Sequence, residues 1–297
     1  MPGVRVVHWD LESTGLGHYT EEIVEYAIES HEHDRRLYDP NVSGSKPLSI
    51  ASSQYIYTER PFQEKAKEIT GLDTEKLRLM YKEGSAVRRT EGLAKFLSDI
   101  RSLDEPVVMV AWNGHRFDVP LMLAELRREY KDVRRALLDS NIIGFYDAKM
   151  YAKDNLKNTM GEDKMLLTAK GVPDYSLGPL YHAIFGEPFD NAHEAMADTS
   201  AMREVCEHEY MSGMYDEGWR ESKYYMDTKT AVNKFELARM NWEHRKEVER
   251  RKKSCASTVP KDFGDLLTVE TVSTKKKRAR DTNDDTVPGS ESKRQKV

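Results

Sequence analysis

One short segment, residues 106–112, constrains the fold of this chain more than any other. Its sequence, PVVMVAW, is a continuous apolar run of strand length. Such a run is typical of a strand that is buried on both faces of a sheet. Other elements must then cover both faces of that sheet, and helices commonly do so. The segment therefore favours an α/β fold.

Predicted strands and helices alternate along the chain up to about Met211. The strands are predicted at residues 4–9, 22–29, 54–58, 106–112 and 142–146, from β-branched, alternating or continuous apolar runs. The helices are predicted at residues 65–70, 73–80, 88–100, 119–130, 177–184 and 194–210. This alternation indicates an α/β unit built on a mixed β-sheet flanked by helices.

Charge is unevenly distributed and divides the chain into three predicted parts. The net charge is −5, but residues 251–297 carry 12 Lys+Arg against 7 Asp+Glu, so the first 250 residues carry −10. We predict a folded domain at 1–211 and a charged helical extension at 212–254, most of it one long helix over 219–253. A disordered basic tail is predicted at 255–297 because that segment is polar and poor in aromatic residues.

Composition also argues against several classes of protein. The chain contains only two cysteines, Cys206 and Cys255, too few for a disulfide framework or a zinc ligand set. The first residues lack the basic and apolar regions of a secretion signal. No run of about 18 apolar residues predicts a membrane span. A reducing compartment fits this pattern.

The first motif with chemical meaning is DLESTG at residues 10–15. Asp10 and Glu12 are two residues apart at the end of a predicted strand, so both carboxylates point to one face of the sheet. Two like charges side by side are unfavourable unless a cation lies between them. Oxygen ligands favour hard ions such as Mg²⁺ or Mn²⁺. The alternative is a solvated strand end with two surface acids.

The second motif is NGHRFD at residues 113–118, which follows the buried strand and opens a helix. Asp118 is either a functional acid or a residue that interacts with the helix dipole at the first turn. Asn113 is either functional or part of the turn chemistry beside Gly114. Phe117 is a candidate platform for base stacking, with a core position as the alternative.

The third motif is HEAMAD at residues 193–198. On one regular helix, His193 and Asp198 would lie about 140° apart and would not share a site. They can do so if His193 lies in the loop before the helix and Asp198 on its inward face. The alternative is a surface histidine at a helix start.

Together, the order and spacing of these three motifs resemble the DEDDh family of 3′–5′ exonucleases, which includes the proofreading subunit of bacterial replicative polymerase and the animal three-prime repair exonucleases. Weaker similarity lies at residues 22–29, 68–77, 146–152 and 175–186, so the resemblance spans about residues 4–210. Relatives with a tyrosine carry it four positions before the last aspartate, where this chain has Glu194. Trp112 departs from the histidine found in many relatives.

This resemblance implies an RNase H-like fold and a metal-dependent 3′–5′ exonuclease activity that releases 5′-mononucleotides. It implies a two-metal site for Mg²⁺ or Mn²⁺, and the implied ligands are Asp10, Glu12, Asp118 and Asp198. Asp10 is expected to bridge both ions, and His193 is expected to accept the proton of the attacking water.

Substrate contacts are also implied by the resemblance. Backbone at Leu11, Ser13 and Thr14 is expected to meet the 3′-terminal sugar. Leu16 is expected to wedge against the terminal base, and Asn113 to orient Asp118 or a substrate group. Single or frayed 3′ ends of DNA are the expected substrate.

Alternatives remain open from the sequence. The same chemistry could act on RNA, because the groups that sense a 2′-hydroxyl cannot be placed. The fold could also serve as a non-catalytic nucleic-acid-binding or scaffold module. Residues 212–254 could dock a polymerase or a second copy of the chain. The basic run from Lys275 to Arg280 predicts a nuclear address, without which the protein is expected in the cytoplasm.

Overall fold

The computed structural model describes residues 4–30, 49–161, 164–216 and 218–257. It confirms the predicted α/β architecture, with one mixed sheet flanked by helices. Most of the predicted tail, from residue 258 onward, lies outside the described residues, as does the basic run from Lys275 to Arg280. Among the described helices, none is both long enough and apolar enough to cross a bilayer.

The sheet has seven strands in the order β4-β3-β2-β1-β5-β6-β7. The first three strands of the chain form antiparallel pairs, whereas β5 and β6 run parallel to β1. Strand β4 lies parallel to β3 at one edge, and β7 lies antiparallel to β6 at the other. The strands are β1 Arg5–Ser13, β2 Ile23–Ser30, β3 Ile50–Tyr57, β4 Ala86–Arg88, β5 Val107–Ala111, β6 Ile142–Asp147 and β7 Tyr225–Asp227.

Nine α-helices are present among the described residues. They are α1 Glu64–Thr70, α2 Thr74–Lys82, α3 Arg89–Arg101, α4 Asp118–Glu129, α5 Val133–Asp139, α6 Ala148–Thr159, α7 Leu177–Phe185, α8 Ala195–Glu207 and α9 Thr228–Ser257. Short strand β4 and helices α5 and α6 were not predicted.

Two apolar cores, one on each face of the sheet, hold these layers together. Trp9, Phe96 and Phe145 belong to the core that α3, α4 and the start of α9 cover. Tyr146 and Val205 belong to the opposite core, where α6, α7 and α8 pack. All five residues of β5 are buried, as its apolar sequence predicts for a strand covered on both sides.

The single long helix predicted over 219–253 is wrong at its start. A short 3₁₀ turn and strand β7 precede α9, which begins only at Thr228. Tyr225 suits a strand, and Asp227 ends it by accepting a 2.9 Å hydrogen bond from the backbone N–H of Thr230. The high charge of this stretch hid both the strand residues and the capping aspartate from the sequence pattern.

The chain forms two compact units, residues 1–245 and residues 246–297. The first contains the whole sheet, including β7, and the buried side chains of Met211 and Met214. In the second, ion pairs such as Arg251–Glu247 link successive turns of α9. The predicted division into 1–211, 212–254 and 255–297 stays a prediction.

Candidate active site

Strand β1 carries two acids within its paired region. It continues beyond its predicted end at Trp9, so that Asp10 and Glu12 are paired strand residues. Alternation places Trp9 and Leu11 in the core under α3 and α4. Asp10 and Glu12 therefore point to the opposite face, where α8 packs on β1.

The second motif forms a tight turn between β5 and α4 that delivers Asp118. A β-carbon on Gly114 would lie 2.6 Å from that of Ala111, so no larger residue fits without movement. Asn113 adopts a φ of 70°, a region that asparagine tolerates better than most residues. The backbone N–H of His115 donates to the buried carboxylate of Asp147 at 3.2 Å. This contact ties the turn to the end of β6.

Asp118 is not a helix cap. Helix α4 has Phe117 at its N-cap position, with no capping hydrogen bond from a side chain. The Asp118 side chain is buried, and its Oδ1 has no hydrogen-bond partner. Burial without such a partner is costly for a carboxylate that only caps. The structure therefore favours the functional reading of this acid.

The third motif has the arrangement that a shared site requires. Helix α8 begins at Ala195, so His193 lies in the preceding loop, with a φ of 74°. Its backbone N–H donates to Asp198 Oδ1 at 3.2 Å, and its Nδ1 lies 3.9 Å from Asp198 Oδ2. A non-glycine residue in this conformation is strained, which is common at functional sites. The His193 side chain is 53% exposed and thus open to a ligand.

Three elements bring the five predicted residues to one place. Ligand atoms of Glu12, His193 and Asp198 all lie within 4.8 Å of one another. Asp10 and Asp118 line the same cleft as these three. Residues that are far apart in sequence therefore converge at one end of strands β1 and β5.

The four carboxylates have raised pKa values. Burial is the largest cause for each of them, and the charges of neighbouring acids add to it for Asp10, Glu12 and Asp118. The pKa of Glu12 rises to about 9 and that of Asp118 to about 7. The cluster thus resists carrying its full negative charge when no cation is near.

The cluster fits divalent metal ions. Asp10 Oδ2 and Asp118 Oδ1 are buried and have no hydrogen-bond partner. A cation between the carboxylates would satisfy these oxygens and relieve the repulsion. Carboxylate oxygens are the ligands that Mg²⁺ and Mn²⁺ prefer.

A cleft of about 320 Å³ opens beside the acids. The predicted substrate contacts Leu11, Ser13, Leu16, Asn113 and Phe117 line it. The opposite wall comes from α1 and the residue before it, and consists of Gln63, Lys65, Ala66, Ile69 and Thr70. We did not predict this wall as part of the site, although the weakly similar segment at 68–77 includes two of its residues.

Thr14 is the exception among the predicted substrate contacts. Its backbone N–H donates to Glu22 at 3.0 Å and its carbonyl accepts from Gln63 at 2.8 Å. Its hydroxyl donates to the Glu21 carboxylate at 2.7 Å. The expected contact of Thr14 with the substrate sugar stays a prediction, and in the structure its polar groups hold the loop together.

A neighbour of the cluster was also missed. Glu25 on β2 pairs with Glu12 across the sheet and accepts a 3.3 Å hydrogen bond from the backbone N–H of Ala195. Burial raises the pKa of Glu25 to about 7. No local signal marks this residue, since its role depends on the register of β1 and β2.

Solved structures share the fold of this chain. No family model matches it. Escherichia coli exonuclease I, in complex with a dT13 oligonucleotide, superposes with a TM-score of 0.53 at 19% identity over 68% of this chain. A second structure of exonuclease I gives the same score at 18% identity over 72%. The chain spans only 41% of the length of each, so the likeness concerns the RNase H-like fold.

Sequence comparison establishes the family. Human three prime repair exonuclease 2 is 34% identical over 211 residues, which cover 66% of this chain and 79% of the relative. The mouse protein of the same name is 32% identical over 206 residues, with the same coverage of both chains. The resemblance predicted from the three motifs is confirmed, and this chain belongs to the three-prime repair exonucleases.

Proposed function

We propose that this 3′–5′ exonuclease hydrolyses the terminal phosphodiester bond of DNA at a site built from Asp10, Glu12, Asp118, Asp198 and His193. One observation carries the assignment of the site. Four buried or half-buried carboxylates and an exposed imidazole converge on one cleft, and two of the carboxylates have oxygens without a hydrogen-bond partner.

Divalent ions complete this site. Exonucleases of this fold generally use such ions, and we assign two of them here, Mg²⁺ or Mn²⁺. The carboxylates of Asp10, Glu12, Asp118 and Asp198 would hold these ions. When bound, the ions lower the pKa of the attacking water and neutralise charge on the phosphate and the leaving oxygen.

His193 acts as the general base. It takes a proton from the water as the water oxygen bonds to phosphorus. The bond from phosphorus to the 3′-oxygen of the preceding nucleotide then breaks, and that oxygen takes a proton from solvent. The products are a 5′-mononucleotide and a shortened strand. Asp198, 3.9 Å from His193 Nδ1, stabilises the imidazolium that forms.

The cleft receives the 3′-terminal nucleotide. Leu16 is 68% exposed and Ile69 is 40% exposed on its two walls, so both present aliphatic surface to a base. Phe117 adds an aromatic face, and Ser13 and Asn113 add polar groups. The related fold of exonuclease I was solved with a single-stranded oligonucleotide, dT13, which supports a single or frayed strand as substrate.

One further assignment concerns the C-terminal part. We infer that the basic run from Lys275 to Arg280 directs the protein to the nucleus, because dense basic runs in polar sequence serve as such addresses. The relatives that are reported above add no support for polymerase docking or self-association through residues 212–254.

Matched oligonucleotides test the substrate class. Purified protein and Mg²⁺ are incubated with single-stranded DNA and RNA of one sequence, labelled at the 5′ end. We expect DNA to be shortened faster, with deoxynucleoside 5′-monophosphates as products. Faster cleavage of RNA would reverse the assignment of substrate, and 3′-monophosphate products would contradict the chemistry.

A further inference from the structure

The segment that carries Leu16 is a compact loop, residues 14–22, which we call the Leu16 loop. Its ends are joined by the 3.0 Å hydrogen bond from Thr14 N–H to the Glu22 carbonyl. Inside it, the backbone N–H groups of Thr20 and Glu21 both donate to the Gly17 carbonyl. The loop is therefore a small structured unit with an exposed leucine near its tip.

On one side, the loop is fixed to the segment that leads into α1. The side chain of Gln63 donates to the Glu21 carboxylate at 3.2 Å, and that of Arg60 forms an ion pair with it at 3.3 Å. These contacts hold the base of the loop.

On the other side, the loop contacts helix α9 through one aromatic residue. The Tyr19 ring lies 5.7 Å from that of Phe235 and 5.3 Å from that of Trp242. Phe235 and Trp242 are seven residues apart, so they share one helix face. Rings at such distances stabilise one another beyond their buried area. The side chain of Arg128 also donates to the carbonyls of Tyr19 and Glu21.

Helix α9 provides a fixed surface for this contact. Its residues Ala231 and Phe235 are buried in the core beside the sheet. The Thr228 hydroxyl donates to the Ile142 carbonyl at 2.8 Å, and Glu236 forms an ion pair with Arg127 on α4 at 3.3 Å. This half of the helix is thus anchored to the core independently of Tyr19.

We propose that Phe235 and Trp242 are positioning residues, which hold the Leu16 loop through Tyr19 so that Leu16 meets the terminal base. The C-terminal helix then acts on the active site of its own chain. This inference rests on the proposed function, because it uses the contact between Leu16 and the substrate. It assigns a role to a helix that lies beyond the residues that carry the sequence motifs.

A double-mutant cycle tests the proposal in the full-length protein. The variants are Trp242→Ala, Leu16→Ala and the two combined, assayed with single-stranded DNA and with bis(p-nitrophenyl) phosphate, a small ester that has no base for Leu16 to meet. We expect Trp242→Ala to lower kcat/KM on DNA about two- to tenfold, the scale of an aromatic contact, mainly through KM. In the Leu16→Ala background, Trp242→Ala should cause no further loss of kcat/KM on DNA. The small ester should be cleaved at an unchanged rate.

Two control variants separate positioning from loss of structure. Leu237→Ala changes a residue on α9 that is 63% exposed, and it should leave the rate on DNA unchanged. Trp242→Phe keeps an aromatic ring and should restore most of the rate. An equal loss from Trp242→Ala in both backgrounds, or no loss at all, would overturn the proposal. Loss on the small ester would do so too, since it would show general damage to the site.

Hydrogen exchange separates failure of this inference from failure of the proposed function. Trp242→Ala should accelerate exchange of the Thr20 and Glu21 amides, which reports the loop directly. Suppose that exchange is faster in Trp242→Ala but Leu16→Ala leaves the rate on DNA unchanged. The positioning of the loop by Trp242 would then stand, and the role of Leu16 would be refuted. Unchanged exchange would refute the positioning itself.

Discussion

The backbone N–H of Ala195 donates a 3.3 Å hydrogen bond to the buried carboxylate of Glu25. Ala195 is the first residue of α8, so an acid on the sheet interacts with the positive end of this helix. His193 lies two residues before that point and Asp198 three residues after it. The position of the proposed general base and of one proposed metal ligand thus depends on a residue of strand β2.

Replacing Glu25 tests this dependence. We expect Glu25→Ala to lower kcat about tenfold or more with little change in KM, because both catalytic groups lose their anchor. Glu25→Gln retains a carbonyl oxygen that can accept from Ala195, so it should recover most of the rate. Steady-state kinetics on labelled single-stranded DNA provide the measurement. Equal loss in both variants would show that the charge matters rather than the hydrogen bond.

The role of His193 has its own prediction. His193→Ala should lower kcat roughly 10²–10⁴-fold, the usual contribution of a general base. The folded structure should tolerate the change, since the side chain is largely exposed. Single-turnover rates at several pH values provide the check, with His182→Ala, on helix α7 and outside the cleft, as the matched control. A rate within twofold of wild type would mean that another group takes the proton.

Stability should depend on pH and on divalent ions because of the buried acids. Free in the unfolded chain, the Asp118 carboxyl titrates near 4, whereas in the folded protein its pKa rises to about 7 and that of Glu12 to about 9. Between these values the folded state holds more protons than the unfolded state. The free energy of unfolding of the metal-free protein therefore falls as the pH rises from about 4 to 9.

The Asp118→Asn variant tests whether the charge on this buried carboxyl destabilises the metal-free protein. In EDTA at pH 8, the variant should melt several degrees above the wild type, because about 1 kcal/mol shifts Tm by roughly 2–4 °C in a domain of this size. Added Mg²⁺ should raise the Tm of the wild type more than that of the variant. Thermal unfolding at pH 5 and pH 8 gives the comparison. A variant that melts lower than wild type in EDTA at pH 8 would contradict the electrostatic account.

The nuclear assignment predicts the behaviour of the tail. A fusion to a reporter too large to diffuse through nuclear pores should accumulate in the nucleus. Replacement of Lys275, Lys276 and Lys277 with alanine should abolish that accumulation, while the same change at Lys252 and Lys253 should not. Fluorescence microscopy of the fusion shows where each variant accumulates. Nuclear accumulation of the triple variant would assign the address to another segment.

Local sequence was enough to predict the residues that we propose act directly, and for a physical reason. Asp10 and Glu12 lie on one strand, so alternation alone places both on one face. Helix geometry required His193 to lie in a loop before α8 if it was to share a site with Asp198. Each of these inferences needed only a few consecutive residues.

Contacts between distant segments could not be inferred in this way. The bond from Ala195 to Glu25 depends on the register of two strands and on the packing of α8. The contact of Tyr19 with Trp242 depends on the path of the chain after β7, where the predicted helix start was wrong. The hydrogen bonds of Thr14 have the same origin, because its partners Glu21 and Gln63 are brought to it by the folded loop.

The most direct test of the central claim is one cleavage assay. A 5′-labelled single-stranded DNA oligonucleotide is incubated with the protein in Mg²⁺ and in EDTA, beside Asp198→Ala and Asp10→Ala variants that retain their fold by circular dichroism. We predict a ladder that shortens from the 3′ end, present only for the wild type in Mg²⁺. Cleavage that persists in EDTA or in either variant would contradict the assignment of these carboxylates as metal ligands.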